Sequence, residues 1–98
     1  MGQFVYNARG YDVDDRSLAH LQVVIIDRLR RGESCSFTLD LPKGGRVELW
    51  LSPAAPIMFE FSGNRQPRLN RAWLEILALA GYSVEGLRLL PEPPDPDA

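Results

Sequence analysis

At 98 residues, with 45% apolar and 24% charged side chains, the chain is sized and composed to fold around one core. A formal net charge of −2 excludes a generic polyanion binder, so any phosphate recognition has to be local. A single cysteine excludes an internal disulfide and a cysteine metal cluster and points to a reducing, cytoplasmic setting; the start Met-Gly-Gln-Phe-Val-Tyr has no signal-peptide pattern, and apolar runs such as Val23 to Ile26 are far too short to span a membrane.

Phe4 to Tyr6 is a short strand of aromatic and β-branched residues, followed by a turn region at Asn7 to Gly10. Asp14-Asp15-Arg16-Ser17 then offers a capping carboxylate and an acidic first turn, after which Leu18, Leu21, Ile25 and Leu29 recur at helical spacing. This predicts a first helix over about Asp15 to Arg31, with Arg28, Arg30 and Arg31 answering its negative end and Gly32 stopping it in the left-handed conformation.

From Cys35 the period becomes two. Cys35, Phe37, Leu39 and Leu41 share one face and Ser36, Thr38 and Asp40 the other; Val47, Leu49 and Leu51 then oppose Glu48, Trp50 and Ser52. Pro42-Lys43-Gly44-Gly45 is the turn chemistry that makes these runs a hairpin. A third strand, Ile57 to Phe61, directs Ile57, Phe59 and Phe61 inward and Met58 and Glu60 outward. A second helix is expected over about Gln66 to Ala80, with Leu69, Trp73, Ile76, Leu77 and Ala80 on its apolar face and Gly81 as its stop. Leu87 to Leu90 is a candidate last strand.

The expected fold is therefore α+β and two-layered: a mainly antiparallel sheet of three to five strands with both helices on one face, in the order β-α-β-β-β-α with a candidate final β. Residues 1–90 form one domain in this reading. Pro91 to Ala98, rich in proline and acid, is a flexible tail, and without its three carboxylates the body is slightly positive.

No catalytic set emerges. His20, the only histidine, has Arg16 four residues before it and Asp27 seven after, which is neither a metal-ligand set nor a general-base pair, so it reads as structural. Cys35 faces inward without a basic neighbour on its strand, and Ser34 and Ser36 lack a nucleophile-elbow context. Lys43-Gly44-Gly45-Arg46 sits in a hairpin turn and not between a strand and a helix, so it is no phosphate loop. No metal or cofactor is called for, and the chain reads as non-enzymatic.

Two features are left over. Trp50 lies on the polar side of its strand, with Met58 expected near it on the neighbouring strand and Thr38 across the hairpin. Such a face is covered by the N-terminal segment through Phe4 and Tyr6, forms a homodimer or protein-partner interface, or stacks nucleic-acid bases. The second feature is Arg65, Arg68 and Arg71, flanked by Asn64 and Gln66, at the start of the second helix without one acidic neighbour. Glu33, Asp40, Glu60 or Glu75 neutralise them, or they hold an anion or a nucleic-acid phosphate. Arg28, Arg30 and Arg31 form a candidate second basic patch.

These residues also carry a resemblance. Asp14 to Ile25 (Asp-Asp-Arg-Ser-Leu-Ala-His-Leu-Gln-Val-Val-Ile), Leu29 to Ser34, Ser62 to Pro67, Asn70-Arg71-Ala72-Trp73-Leu74-Glu75, Gly86-Leu87 and Leu90-Pro91-Glu92-Pro93 resemble a family of short bacterial proteins of unknown function, over nearly the whole chain. The hairpin departs from that pattern at Cys35, where an aromatic is usual, and near Lys43, where an insert is usual. Some proteins that look like this carry an ATP-dependent DNA ligase label. That chemistry uses the lysine of a Lys-x-Asp-Gly motif, whereas the only lysine here, Lys43, precedes Gly44-Gly45-Arg46. The resemblance therefore implies a family and no mechanism.

Overall fold

A two-residue turn at Asn7 and Ala8, both at positive φ (50° and 69°), folds Gly2–Tyr6 (β1) back onto Arg9–Val13 (β2). Positive φ at both central residues matches the right-handed twist of the strands, so the turn is tight and a strand begins at once beyond it. β2 was not expected: of the turn region foreseen at Asn7 to Gly10 only Asn7 and Ala8 turn, and Arg9 and Gly10 open the strand. Gly10 belongs to the strand, where the Gln3 side-chain amide lies over it and would have to shift to admit a Cβ.

The computed structural model describes residues 1–98. After β2 come α1 (Asp15–Arg30), β3 (Cys35–Asp40), β4 (Arg46–Leu51), β5 (Ile57–Glu60), α2 (Arg71–Ala80) and β6 (Leu87–Arg88). The α+β class and the order of the foreseen elements stand, with β2 added. The strands form two three-stranded sheets and not one: β2-β1-β5, antiparallel throughout, and β4-β3-β6, in which β6 runs parallel to β3. β4 and β5 are consecutive in sequence but belong to different sheets.

The inner faces of the two sheets meet through Phe4 and Phe37, both fully buried, with ring centroids 5.3 Å apart at 87°. This edge-to-face contact places the positive rim of one ring on the negative face of the other. Leu18, Leu21 and Ile25 of α1 and Trp73 and Leu77 of α2 complete the core. Phe59, expected inside, is half-buried against Phe4.

Local chemistry sets the element ends. Asp14 caps α1, its carboxylate accepting from the Ser17 N–H at 3.0 Å and the Ser17 hydroxyl at 2.7 Å. Gly32 is left-handed as expected (φ 74°), but Gly81 ends α2 with φ −63°. There the Arg28 guanidinium takes over, donating to the Gly81 carbonyl at 2.6 Å and to Ser34 O at 3.3 Å, with its Cζ over the Tyr82 ring, 4.2 Å from the centroid. Helix α2 is also shorter than the periodicity suggests. It starts at Arg71, so Leu69 precedes it and is exposed.

Asp15 closes the other end of the molecule. Its carboxylate accepts from the backbone N–H groups of Ser62 and Gly63 (3.2 and 2.9 Å), which ties the end of β5 to the start of α1 and lowers its pKa.

Candidate functional site

The start of α2 is fixed by Asn70, which is fully buried. Its Oδ1 accepts from the Ala72 and Trp73 N–H groups (3.0 and 3.3 Å), capping the helix, and its Nδ2 donates to Glu92 Oε2 and to the Pro93 carbonyl, both at 2.9 Å. Its own backbone N–H donates to His20 Nε2 at 2.8 Å.

That contact decides the state of His20. Nε2 must be bare to accept a proton from Asn70, and Nδ1 must carry one to donate to the Arg16 carbonyl 2.7 Å away. The ring is neutral, fully buried and 4.5 Å from the Trp73 ring centroid. Both nitrogens are consumed, Nδ1 within α1 and Nε2 in joining α1 to the cap of α2.

Glu92 completes the cluster. Arg16 donates to it twice, Nε to Oε1 at 2.8 Å and Nη2 to Oε2 at 2.6 Å. This two-pronged pair, with Asn70 beside it, lowers the Glu92 carboxyl to about 2. Trp73 adds a bond from its indole N–H to the Leu90 carbonyl at 2.9 Å. The residues that carry the resemblance thus meet in one place: Asp14 to His20, Asn70 to Trp73 and Leu90 to Pro93.

A family model described as a domain of unknown function (DUF7882) matches residues 1–92. The chain belongs to the DUF7882 family. No curated protein matches it, and no solved structure does. The DUF7882 match spans both sheets, both helices and the Arg16–Glu92 pair, and its description assigns no activity. No helix of this DUF7882 chain is long and apolar enough to cross a membrane.

The arginines expected to act together are split. Arg71 alone lies in α2. It pairs with Glu75 (3.7 Å) and Asp97 (3.5 Å), while Arg68 faces Asp95 (3.8 Å) and the Asp97 carbonyl. Of the four carboxylates expected to neutralise the cluster, only Glu75 takes part, and the others that do so come from the proline-rich end. Arg65 makes no ion pair. It lines a 220 Å³ pocket between α1 and the segment after β5, together with Asn64, Gln66, Gln22 and Phe61.

The second basic patch is likewise divided. Arg28 is only 13% exposed and spent on backbone carbonyls. Arg31 pairs with Asp27 (3.3 Å) and Glu33 (3.7 Å) and donates to the Tyr82 hydroxyl, which in turn donates to Glu33. Arg30 is exposed and forms no ion pair.

Trp50 is 63% exposed on the outer face of β4. Phe4, one expected cover, is buried in the core. Tyr6, the other, donates its hydroxyl to the Trp50 carbonyl and leaves the indole open. Ser36 stands opposite Trp50, and Thr38 opposite Glu48 is its diagonal neighbour on the same face. Met58, although 53% exposed, pairs with Val5 in the other sheet, so it is not a neighbouring-strand partner of Trp50. Beside Trp50 a 530 Å³ concavity is lined by Ser36, Thr38, Arg46, Glu48, Val84, Glu85 and Arg88, with Val84 fully exposed. No three His, Cys, Asp or Glu side chains converge as a metal site. Cys35 is buried, which pushes its thiol pKa up and keeps it protonated.

Proposed function

We propose that the chain is a small non-enzymatic interaction module, working in a reducing cytoplasmic setting, that associates with a second copy through the outer face of the β4-β3-β6 sheet. The observation that carries this reading is the exposed indole of Trp50 on an otherwise polar sheet face, with Val84 bare beside the same concavity. The rim holds two arginines, Arg46 and Arg88, and two acids, Glu48 and Glu85, so an identical face brings charges of both signs to meet its own. Sedimentation over a concentration series tests it. Wild type should form dimers that Trp50→Ser disrupts and Met58→Ser does not, because Met58 lies on the other sheet. A wild type that stays monomeric at the highest concentrations removes the reading.

Arg65 favours a second reading, an accessory anion or nucleic-acid phosphate contact. Its support is a guanidinium with no carboxylate partner beside the amides of Gln22, Asn64 and Gln66. Inorganic phosphate should raise the melting temperature of wild type and not that of Arg65→Ala, and the effect should fade with added salt. Equal shifts in both proteins eliminate it.

A further inference from the structure

The segment from Leu90 to Asp97 is held across the start of α2 by two kinds of contact. Its carboxylates meet cationic side chains in sequence: Glu92 takes Arg16, Asp95 takes Arg68 and Asp97 takes Arg71. Its backbone carbonyls are also read. Leu90 O accepts from the Trp73 indole, Pro93 O from Asn70 Nδ2 and Asp97 O from Arg68 Nη2.

The composition of the segment suits this mode of capture. Pro91, Pro93, Pro94 and Pro96 carry no N–H, so they need no acceptor from the body, and their restricted φ reduces the conformational freedom lost on docking. Carbonyls and carboxylates are what remain to be recognised, and the site supplies donors for both. Phosphate oxygens would also accept from these donors, but the three carboxylates and three amide carbonyls spaced along one proline-rich backbone match the arginines, Asn70 and Trp73 contact by contact. The contacts therefore favour a peptide over a nucleic acid.

We propose that Arg16, Arg68, Asn70, Arg71 and Trp73 form a receptor site for an acidic, proline-spaced peptide of a protein partner, filled in cis by residues 90–97. Covalent attachment gives the resident segment a millimolar effective concentration, so a ligand in trans competes poorly until the resident one is weakened. The site is separate from the Trp50 face and from the Arg65 pocket.

The test uses the full chain and a fluorescent peptide, Leu-Pro-Glu-Pro-Pro-Asp-Pro-Asp, read by anisotropy. Wild type should bind it weakly. Glu92→Gln/Asp95→Asn/Asp97→Asn, which discharges the resident segment, should bind at least about tenfold more tightly, and adding Arg68→Ala/Arg71→Ala should abolish the gain. A folded triple variant that gains nothing overturns the proposal. So does one that takes a single-stranded oligonucleotide as tightly as the peptide, which would assign the site to phosphate. Should the triple variant fail to fold, Asp95→Asn/Asp97→Asn keeps the Glu92 anchor, and the absence of any gain there is equally decisive.

Discussion

The backbone N–H of Asn70 donates to Nε2 of His20 across 2.8 Å of fully buried space, so the only histidine of the chain serves as an acceptor for the first donor of a helix. His20→Ala leaves that N–H without a partner, takes from the Arg16 carbonyl the bond it accepts beyond the helical one, and removes the ring beside Trp73. A loss on the order of 3 kcal/mol is expected in urea unfolding, because an unmet buried group costs about 1 to 3 kcal/mol. A near-neutral result would free His20 for other work.

Asn70 discriminates between its two jobs. Asn70→Ala removes the cap and both Nδ2 donors, for an expected loss of about 2 to 4 kcal/mol. Asn70→Asp keeps the capping oxygen but sets a carboxylate against Glu92, so it should also destabilise, and its deficit should shrink in acid as the two carboxylates are protonated. Chemical denaturation at neutral and acidic pH checks both.

The pH response follows from two depressed carboxyls, Glu92 at about 2 and Asp15 below its ordinary value. A group that holds its proton less tightly folded than unfolded adds stability above its unfolded pKa and loses it as pH falls toward the folded one. Melting temperature should therefore drop between about pH 5 and pH 2, and the drop should be shallower in Glu92→Gln. An unchanged slope in that variant would assign the acid response elsewhere.

Gly86 lets β6 lie against β3. Its φ is +81°, and a Cβ there would stand 1.9 Å from Ser36 Oγ. Left-handed backbone costs an alanine roughly 1 to 2 kcal/mol, and the collision adds to it, so Gly86→Ala should cost at least about 3 kcal/mol. Gly86→Ala/Ser36→Gly should recover the steric part alone, which thermal melts of the two variants resolve.

Phe37 and Phe59 should respond unequally. Fully buried Phe37 should cost about 3 to 5 kcal/mol on truncation to alanine, and half-buried Phe59 about half as much. Equal losses would mean that the two rings bury alike.

Much of the fold was legible because periodicity reports burial directly. The α1 stripe and the Cys35–Asp40 alternation come out where expected. β2 escaped because only Tyr11 and Val13 mark its inner face, and Gly10 reads as turn until the Gln3 side chain above it is known. The single sheet became two because neighbours in sequence need not be neighbours in a ladder, which separates Met58 from Trp50. At the site, Glu75 was the one partner of Arg71 legible nearby, and Arg68 had none. Asp95 and Asp97 lie more than twenty residues downstream, and a proline-rich acidic run has no hydrophobic period to reveal where it docks.

The guanidinium that grips Glu92 belongs to a residue synthesised 76 positions earlier. On the ribosome, α1 can therefore coil while its arginine waits. The clasp between α1 and the Leu90–Pro93 segment cannot shut until Glu92 itself has left the exit tunnel, by which time both helices and all six strands have already emerged.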